Sequence, residues 1–325
     1  PVIGMVARAI EQKGIDLLVS TSVASVNWQE KTVLTERGKE FPYDKLLIAT
    51  GGRPNKLQVP GSEVRGIFNF QYMDDANGIL ECLATAKSAV TTGGSYVAYD
   101  LTESLAARKL HTTWLIRGPR FLRRLLEEEG GKLVDRLARG QGVDVLYGEE
   151  IRKVVPKDGT VSKVITNTGK EIEADIVGCG LGLTMNMELL KNTPVKTGVG
   201  IITDEHVQTD VPDIYAAGDV AEYYNVLVER HTRMGTWPNS LGHGRVAAAN
   251  MMGGHEAYAS VPSYSSTLFG TSIVVMGLTL EMEPNLYSLV TKVDREGKDY
   301  RRLFFDKNRL VGAVIIGRPT GRKKL

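Results

Sequence analysis

The sequence predicts an α/β protein built from two Rossmann-like units, each with a β-meander. Three observations support this prediction. A chain of 325 residues is too long for one hydrophobic core, so we expect two or three domains. An internal repeat divides the chain, and a strand–turn–helix–strand segment with a glycine-rich turn lies between the two copies.

The repeat joins Thr32–Asn55 to Lys163–Asn186, which align without a gap at a constant offset of 131 residues. In each copy, alternating apolar residues surround a Gly-Lys-Glu turn, a pattern that predicts a β-meander. A buried strand follows in each copy, at Lys45–Thr50 and at Asp175–Cys179, and it ends in a turn that contains glycine. The chain therefore contains two related units, each expected to form a layer of parallel strands and helices.

One complete βαβ segment lies between the copies. We predict a strand at Ser88–Thr92, a helix ending at Lys109, a strand at Thr112–Ile116 and a helix at Glu127–Gln141. The equivalent segment of the first unit would precede residue 1, where the chain opens without Met on a helical pattern, Met5–Lys13. We therefore expect the first unit to be incomplete at its N-terminus.

The turn GGSYVA partly matches the dinucleotide fingerprint G-x-G-x-x-G. Gly93 supplies the tight turn, and Gly94 follows it. Ser95 and Ala98 stand where the second and third glycines allow close approach to pyrophosphate and close helix–strand packing. Tyr96 lies within the turn, and the N-terminal N–H groups of the helix that follows it would face the anion. The alternative is a simple loop.

The residues after the second strand of this segment are basic. Ile116 occupies the place where an acidic residue would accept a hydrogen bond from the ribose of NAD. Arg117 follows it, with Arg120, Arg123 and Arg124 close by. Guanidinium groups suit a 2′-phosphate, so the pattern favours NADP over NAD. The alternative is that these arginines are the solvated start of a basic helix.

A second site is predicted around TDVPDIYAAGDV. The strand Ile214–Ala217 ends in Gly218 and Asp219, whose carboxylate suits sugar hydroxyls. Trp237 then precedes a helix of small residues, Ser240–Met252, which would lie close to a flat ligand. A buried strand and an ordinary turn are the alternative.

Composition excludes several classes of protein. The net charge of +2 gives no indication of nucleic acid binding. No apolar run reaches the length of a membrane span, and no signal peptide opens the sequence. The two cysteines, Cys82 and Cys179, form no CxxC pair and suit a reducing cytoplasm. The five histidines lack metal-ligand spacing, so no metal is expected.

Four segments together resemble a known superfamily: ATGGRP (49–54), GGSYVAYD (93–100), LIRGPRFLRR (115–124) and IYAAGDVAE (214–222). The resemblance covers nearly the whole chain. It is to the FAD- and NAD(P)-dependent pyridine nucleotide–disulfide oxidoreductases. Within that superfamily the chain is similar to the subgroup of rubredoxin and ferredoxin reductases, the flavin domain of nitrite reductase, and NADH oxidases.

The resemblance implies roles for individual residues. Asp219 matches the acidic residue that holds the FAD ribitol, and Thr50 and Gly51 match a turn near the adenosine diphosphate half. Asp100 stands where the family usually has Glu, near the nicotinamide and flavin rings. The implied cofactor-binding set, without an assigned catalytic residue, is Thr50, Gly51, Gly93, Gly94, Ser95, Tyr96, Asp100, Arg117, Arg123, Gly182, Gly218, Asp219 and Trp237.

The resemblance also implies a division into three domains. An FAD-binding domain would comprise residues 1–76 and 190–255, and an NAD(P)H-binding domain residues 77–189. Residues 256–325 would form a C-terminal α+β interface domain. Its expected strands are Thr271–Leu278, Leu286–Val293, Tyr300–Asp306 and Arg309–Ile316.

The implied function is transfer of hydride from NAD(P)H to FAD and of electrons onward to an external acceptor. That acceptor would be a redox protein or a partner subunit, and a homodimer or larger complex is expected. Two alternatives remain open. One is a structural or assembly subunit that has lost flavin turnover. The other is a CoA-disulfide reductase or NADH oxidase whose single cysteine precedes residue 1.

Overall fold

A computed structural model describes residues 10–294 and 298–318. Most of the helix predicted at Met5–Lys13 lies outside them. The helices wholly within these residues are α1 (Met73–Leu83), α2 (Tyr96–Ala106), α3 (Glu128–Gly140) and α4 (Trp237–Met251). The strands are β1 (Val23–Asn27), β2 (Thr32–Thr35), β3 (Glu40–Pro42), β4 (Leu46–Ile48), β5 (Gly52–Pro54), β6 (Ile67–Phe68), β7 (Ser88–Thr92), β8 (His111–Ile116), β9 (Val143–Tyr147), β10 (Ile151–Lys157), β11 (Thr160–Thr166), β12 (Glu171–Glu173), β13 (Ile176–Cys179), β14 (Leu183–Met185), β15 (Ile201–Thr203), β16 (Ile214–Ala216), β17 (Ala221–Asn225), β18 (Arg230–Thr232), β19 (Ser263–Leu268), β20 (Thr271–Gly277), β21 (Tyr287–Val293), β22 (Tyr300–Asp306) and β23 (Arg309–Ile316).

The chain divides into two compact units. The first comprises Pro1–Gly52 and Met185–Ser260, and the second comprises Arg53–Thr184 and Val261–Leu325. The chain passes between the units at β5 and β14, which pair with each other. The three-domain division expected from the sequence stays a prediction. Among the described residues, no helix has the length and apolar character needed to cross a membrane.

The first unit contains the predicted meander β1-β2-β3 and a parallel pair formed by β4 and β16. A third small sheet has the order β15-β17-β18. The core of the first unit includes Ile48, Ile201, Ile214 and Val220, all nearly inaccessible to solvent. Because β4 and β16 are parallel neighbours, the turns after them lie at the same edge of the sheet.

The structure confirms the internal repeat. Strands β3 and β12 start 131 residues apart, as do β5 and β14. The hydrogen bonds repeat as well: the Asn55 N–H donates to Gly182 O, and the Asn186 N–H donates to Gly51 O, each over 3.0 Å. The two copies of the repeat therefore adopt the same local structure, and their turns are linked by two equivalent hydrogen bonds.

The second unit contains a five-stranded parallel sheet with the order β6-β13-β7-β8-β9. Helix α2 packs against β7, β8 and β13, which confirms the predicted βαβ segment. Two buried threonines of this layer are hydrogen-bonded, since Thr91 Oγ1 lies 2.6 Å from Thr102 Oγ1 and Thr102 donates to Ala98 O. A second meander, β10-β11-β12, follows β9.

The C-terminal part of the second unit is a five-stranded antiparallel sheet with the order β19-β20-β23-β22-β21. The four strands expected there are present within one residue of their predicted bounds, and β19 was not predicted. The residues described between 263 and 318 form no helix, so this part is built from strands.

Two helix bounds differ from the prediction. Helix α4 begins at Trp237 instead of Ser240, because Pro238 fits the first turn of a helix, where its missing N–H is not needed. Helix α2 ends at Ala106, and Lys109 has a left-handed φ of 64° that stops the helix before the strand β8.

Candidate cofactor sites

The glycine turn of the second unit lies at the carboxyl ends of two neighbouring strands. Gly93 follows β7 and Gly180 follows β13, and the Gly180 N–H donates to Thr92 O over 2.9 Å. Gly93 has a φ of 126°, and a Cβ there would lie 2.2 Å from Gly180 O. The Trp114 indole donates to Gly93 O over 2.9 Å. Only glycine fits this position, as expected for a turn that a phosphate approaches closely.

The start of helix α2 contacts this turn directly. A Cβ on Gly180 would lie 2.5 Å from Ala98 N and 2.6 Å from Ala98 Cβ. Ala98 itself is fully buried. Because the backbones approach this closely, position 98 accepts only a small residue, and alanine meets that requirement in place of the third glycine of the fingerprint.

Ser95 is the N-cap of α2, but its hydroxyl donates to Gly180 O over 2.9 Å and caps no helix N–H. The N–H groups of the first turn therefore have no side-chain cap. Gly94 is exposed, and a Cβ there would have only Ile116 Cγ2 nearby, at 3.7 Å. This open, uncapped helix N-terminus fits a pyrophosphate.

The arginines that follow β8 divide into two groups. Arg117, Arg123 and Arg124 are exposed, and the Arg123 Cδ would lie 3.3 Å from a Cβ on Gly118. Arg120 instead donates through Nε to Leu126 O over 2.8 Å and has a structural role. Three cationic side chains, of Arg117, Arg123 and Arg124, thus remain exposed after β8, and guanidinium groups there fit a phosphate on the adenosine ribose.

Tyr96 and Asp100 lie near the C-terminal sheet. The ring centroids of Tyr96 and Tyr264 are 4.1 Å apart, and Tyr99 donates to Thr267 O over 2.7 Å. Asp100 is half-buried, and this burial raises the pKa of its carboxyl, although the Tyr99 hydroxyl opposes the shift. The first turns of α2 therefore contact the C-terminal sheet as well as the glycine turn.

The candidate site of the first unit surrounds Gly218 and Asp219. Gly218 has a φ of 75°. The half-buried Asp219 carboxylate receives a long hydrogen bond of 3.4 Å from Ser240 Oγ, and a Cβ on Gly235 would lie 3.2 Å from its Oδ2. Within the described part of the chain, no cation pairs with this carboxylate. Its free lone pairs fit the hydroxyl groups of a ribitol chain.

His243 is a residue of this site that the sequence analysis missed. It is fully buried on α4, and its Nδ1 accepts a hydrogen bond of 3.2 Å from the Gly218 N–H. The rings of Tyr223 and Tyr258 stand edge-on to it, each 4.4 Å away. Burial lowers the pKa of His243 to about 4, so the ring is neutral. The available signal was helical spacing, since His243 lies four residues after the buried Asn239.

The remaining predicted residues are Thr50, Gly51, Trp237 and Gly182. Thr50 follows β4 and donates to Asn186 O over 2.7 Å, while Gly51 and Gly182 have positive φ angles of 59° and 84°. Trp237 is 54% exposed at the start of α4.

The predicted residues fall into one set in each unit. In the first unit, Thr50 and Gly218 follow the parallel neighbours β4 and β16 by two residues each. In the second, Gly93 and Arg117 directly follow the neighbours β7 and β8. A search of the described residues finds no cluster of three or more His, Cys, Asp and Glu side chains that would hold a metal.

Two repeated units, each with a glycine turn after neighbouring parallel strands, form the architecture expected of a protein that binds two nucleotides. The chain belongs to the pyridine nucleotide-disulphide oxidoreductase family, whose profile matches residues 5–244. The profile of the rubredoxin NAD+ reductase C-terminal domain matches residues 262–322, which include the antiparallel sheet. The chain is therefore an FAD-dependent NAD(P)H oxidoreductase.

Among its relatives, the chain is 27% identical over 316 residues to putidaredoxin reductase of Pseudomonas putida, covering 96% of this chain and 74% of that protein. It is 31% identical over 337 residues to the NAD(P)H coenzyme A polysulfide/persulfide reductase of Pyrococcus horikoshii, covering 95% and 73%.

Solved structures match the fold. The covalent putidaredoxin reductase–putidaredoxin complex matches with a TM-score of 0.90 and 25% identity, over 98% of this chain and 77% of that one. An engineered water-forming NADPH oxidase bound to NADPH matches with a TM-score of 0.85 and 21% identity, over 96% and 74%.

Proposed function

We propose that this protein is a flavoprotein reductase that takes hydride from NADPH and passes electrons to a separate redox protein. The observation that carries the proposal is the pair of sites described above. In the first unit, Asp219 lies just after the carboxyl end of β16. In the second unit, the uncapped turn at Gly93–Ser95 lies after β7, and Arg117 and Arg123 lie after β8.

The residues would divide the work as follows. Bound FAD would supply the redox chemistry, which is the acceptance of hydride from the nicotinamide and the release of electrons singly or in pairs. Asp219 would hold the ribitol hydroxyls, and the N–H groups at the start of α2 would hold the NADPH pyrophosphate. Asp100, whose pKa is raised by burial, would line the nicotinamide end of the second site.

The preference for NADPH rests on Arg117 and Arg123. The engineered NADPH oxidase carries Gly to Ala, Asp to Ala, Ala to Arg, Met to Ser and Pro to Arg substitutions in an oxidase from Lactobacillus brevis whose structure was solved with NADH. Its two introduced arginines lie six positions apart, and the first lies 19 positions after the alanine that replaces glycine. In this chain Arg117 and Arg123 lie six positions apart, and Arg117 lies 19 positions after Ala98.

An external acceptor is favoured by the state of the two cysteines in this sequence. Cys179 is buried, which raises the pKa of its thiol to about 12, and burial also raises the pKa of Cys82 on α1. Neither is poised as a thiolate for disulfide exchange. The similarity to putidaredoxin reductase, and the C-terminal domain shared with rubredoxin NAD+ reductase, support a small redox protein as the acceptor.

Absorption spectroscopy of the full-length protein tests this proposal. We expect a flavin absorption band at about 450 nm. Under anaerobic conditions this band should bleach at a lower concentration of NADPH than of NADH. Replacing Arg117 with Glu should weaken NADPH about tenfold more than NADH, because repulsion replaces one guanidinium–phosphate contact. A colourless protein would favour the structural subunit instead, and equal effects on both nucleotides would remove the NADPH preference.

A second candidate is reduction of CoA-bound polysulfide or persulfide, favoured by the 31% identity to the Pyrococcus horikoshii reductase. NADPH oxidation by the full-length protein would be compared with CoA persulfide and with rubredoxin or putidaredoxin as acceptor. Turnover with CoA persulfide alone would select this candidate.

The proposal includes a homodimer formed through the C-terminal sheet and a cytoplasmic location. The edge strand β21 supports the dimer, because its Tyr287 and Leu289 expose 64% and 44% of their surface. Sedimentation analysis of the wild type against Leu289→Lys would test it, and a monomeric wild type would contradict it.

A further inference from the structure

The segment between β8 and α3, residues 117–127, has one exposed and one buried side; we call it the arginine loop. Arg117, Arg123 and Arg124 are exposed on it. Four apolar side chains of the same loop are at most 5% exposed: Phe121, Leu122, Leu125 and Leu126. The burial of these side chains therefore fixes where the exposed guanidinium groups emerge.

The backbone of this loop is strained next to Arg123. Leu122 has a left-handed φ of 43°, which a leucine rarely adopts. Its carbonyl accepts hydrogen bonds from the N–H groups of Leu125 and Leu126, over 2.7 and 2.8 Å. Such strain persists only where the surroundings enforce it. Because Arg123 directly follows Leu122, any relaxation of this turn would move Arg123.

Arg302 on β22 of the C-terminal sheet holds the turn. It is only 8% exposed, and its Nη1 donates to Leu125 O over 2.9 Å. Its Nη2 donates to Ser288 Oγ over 2.8 Å, and the guanidinium lies 5.2 Å from the Phe304 ring centroid. Among the described residues, no carboxylate pairs with Arg302. A buried cation held by neutral groups contributes little to stability, so its presence points to a positioning role.

A second set of contacts shows how closely helix α3 approaches both the C-terminal sheet and the arginine loop. A Cβ on Gly130 would lie 2.8 Å from Tyr300 Cζ, and a Cβ on Gly131 would lie 3.0 Å from Arg120 Cδ. Each glycine lowers the intrinsic helix stability of α3 by about 1 kcal/mol relative to alanine. The two glycines therefore have a packing reason, which is to admit Tyr300 from the sheet and Arg120 from the loop.

We propose that Arg302 is a positioning residue for nucleotide specificity: the C-terminal sheet, through Arg302, holds the arginine loop so that Arg117 and Arg123 meet the 2′-phosphate of NADPH. This inference rests on the NADPH preference proposed above. It gives the C-terminal sheet a role in choosing the electron donor.

Calorimetric titration of the full-length holoprotein with 2′,5′-ADP and with 5′-ADP tests the proposal, because these probes differ at the 2′-phosphate. In Arg302→Met we expect binding of 2′,5′-ADP to weaken about tenfold, equivalent to one lost guanidinium–phosphate contact, with 5′-ADP unchanged. Arg302→Lys keeps one donor and should recover part of the loss. Ser288→Ala, which removes only one partner of the guanidinium, should give a smaller loss of the same selectivity.

Ile315→Ala is the matched control. Ile315 is 2% exposed in the neighbouring strand β23 and, since Arg302 pairs with Val314, its side chain lies on the opposite face of the sheet. It should lower stability without changing the ratio of the two affinities.

The outcomes separate the two proposals. Equal wild-type affinities for the two probes would overturn the NADPH preference and this inference with it. A wild-type preference that Arg117→Glu removes, but that survives unchanged in Arg302→Met and Ser288→Ala, would overturn the role of Arg302 alone.

Discussion

The buried histidine beside Gly218 makes a quantitative prediction about pH. Its Nδ1 must be unprotonated to accept the Gly218 N–H, and its ring lies between two tyrosines with no polar partner for Nε2 among the described residues. Protonation would remove the acceptor and leave a buried cation. Burial accordingly lowers the pKa of His243 from 6.5 to about 4 in the folded protein.

The sign and the size follow from this difference in pKa. Between pH 6.5 and about 4 the unfolded chain binds a proton that the folded chain refuses, so the stabilisation is present above pH 6.5 and is lost as pH falls to about 4. At about 1.36 kcal/mol per pH unit, the loss approaches about 3 kcal/mol. His243→Gln provides a neutral acceptor that does not titrate and serves as the reference.

The assay is urea unfolding of both proteins from pH 7 to 4 with a fixed excess of FAD, followed by flavin fluorescence, which reports the first unit. We expect the wild-type free energy of unfolding, minus that of His243→Gln, to fall by about 3 kcal/mol across this range. Other titrating groups cancel in the difference. A difference that does not change with pH would refute the assignment of His243 as a buried neutral acceptor.

Two further predictions concern the cofactor sites. Asp219→Ala should lower the flavin content of the purified protein, because the half-buried carboxylate is the expected acceptor for ribitol hydroxyls. The control Asp158→Ala, on an exposed turn, should leave the flavin content unchanged. Unchanged flavin occupancy in Asp219→Ala would remove Asp219 from the site. Gly180→Ala should destabilise the protein by about 1–3 kcal/mol and weaken NADPH binding, since its Cβ would lie 2.5 Å from Ala98 N. Gly140→Ala, whose Cβ would meet nothing within 4 Å, should be neutral or slightly stabilising in thermal unfolding, and equal effects of the two changes would contradict the packing argument.

Local sequence patterns predicted much of the fold. The offset of 131 residues predicted both meanders, because the same turn residues specify the same turn wherever they occur. The apolar run at Ser88–Thr92 and the glycine turn after it predicted the βαβ segment, and strand β7 has those same bounds. Strand β19 was missed because its sequence, SYSSTL, is mostly polar, and its pairing with β20 makes it a strand.

The sequence by itself determined the class of protein and predicted two turns for its cofactors, because turn geometry and strand periodicity are properties of neighbouring residues. The tertiary structure decided which polar groups those turns use. Ser95 donates to Gly180 instead of remaining free, His243 accepts from Gly218, and Arg302 contacts Leu125 from 177 residues away along the chain. These partners are distant in sequence, and burial brings them together because an unpaired polar group in the interior is costly.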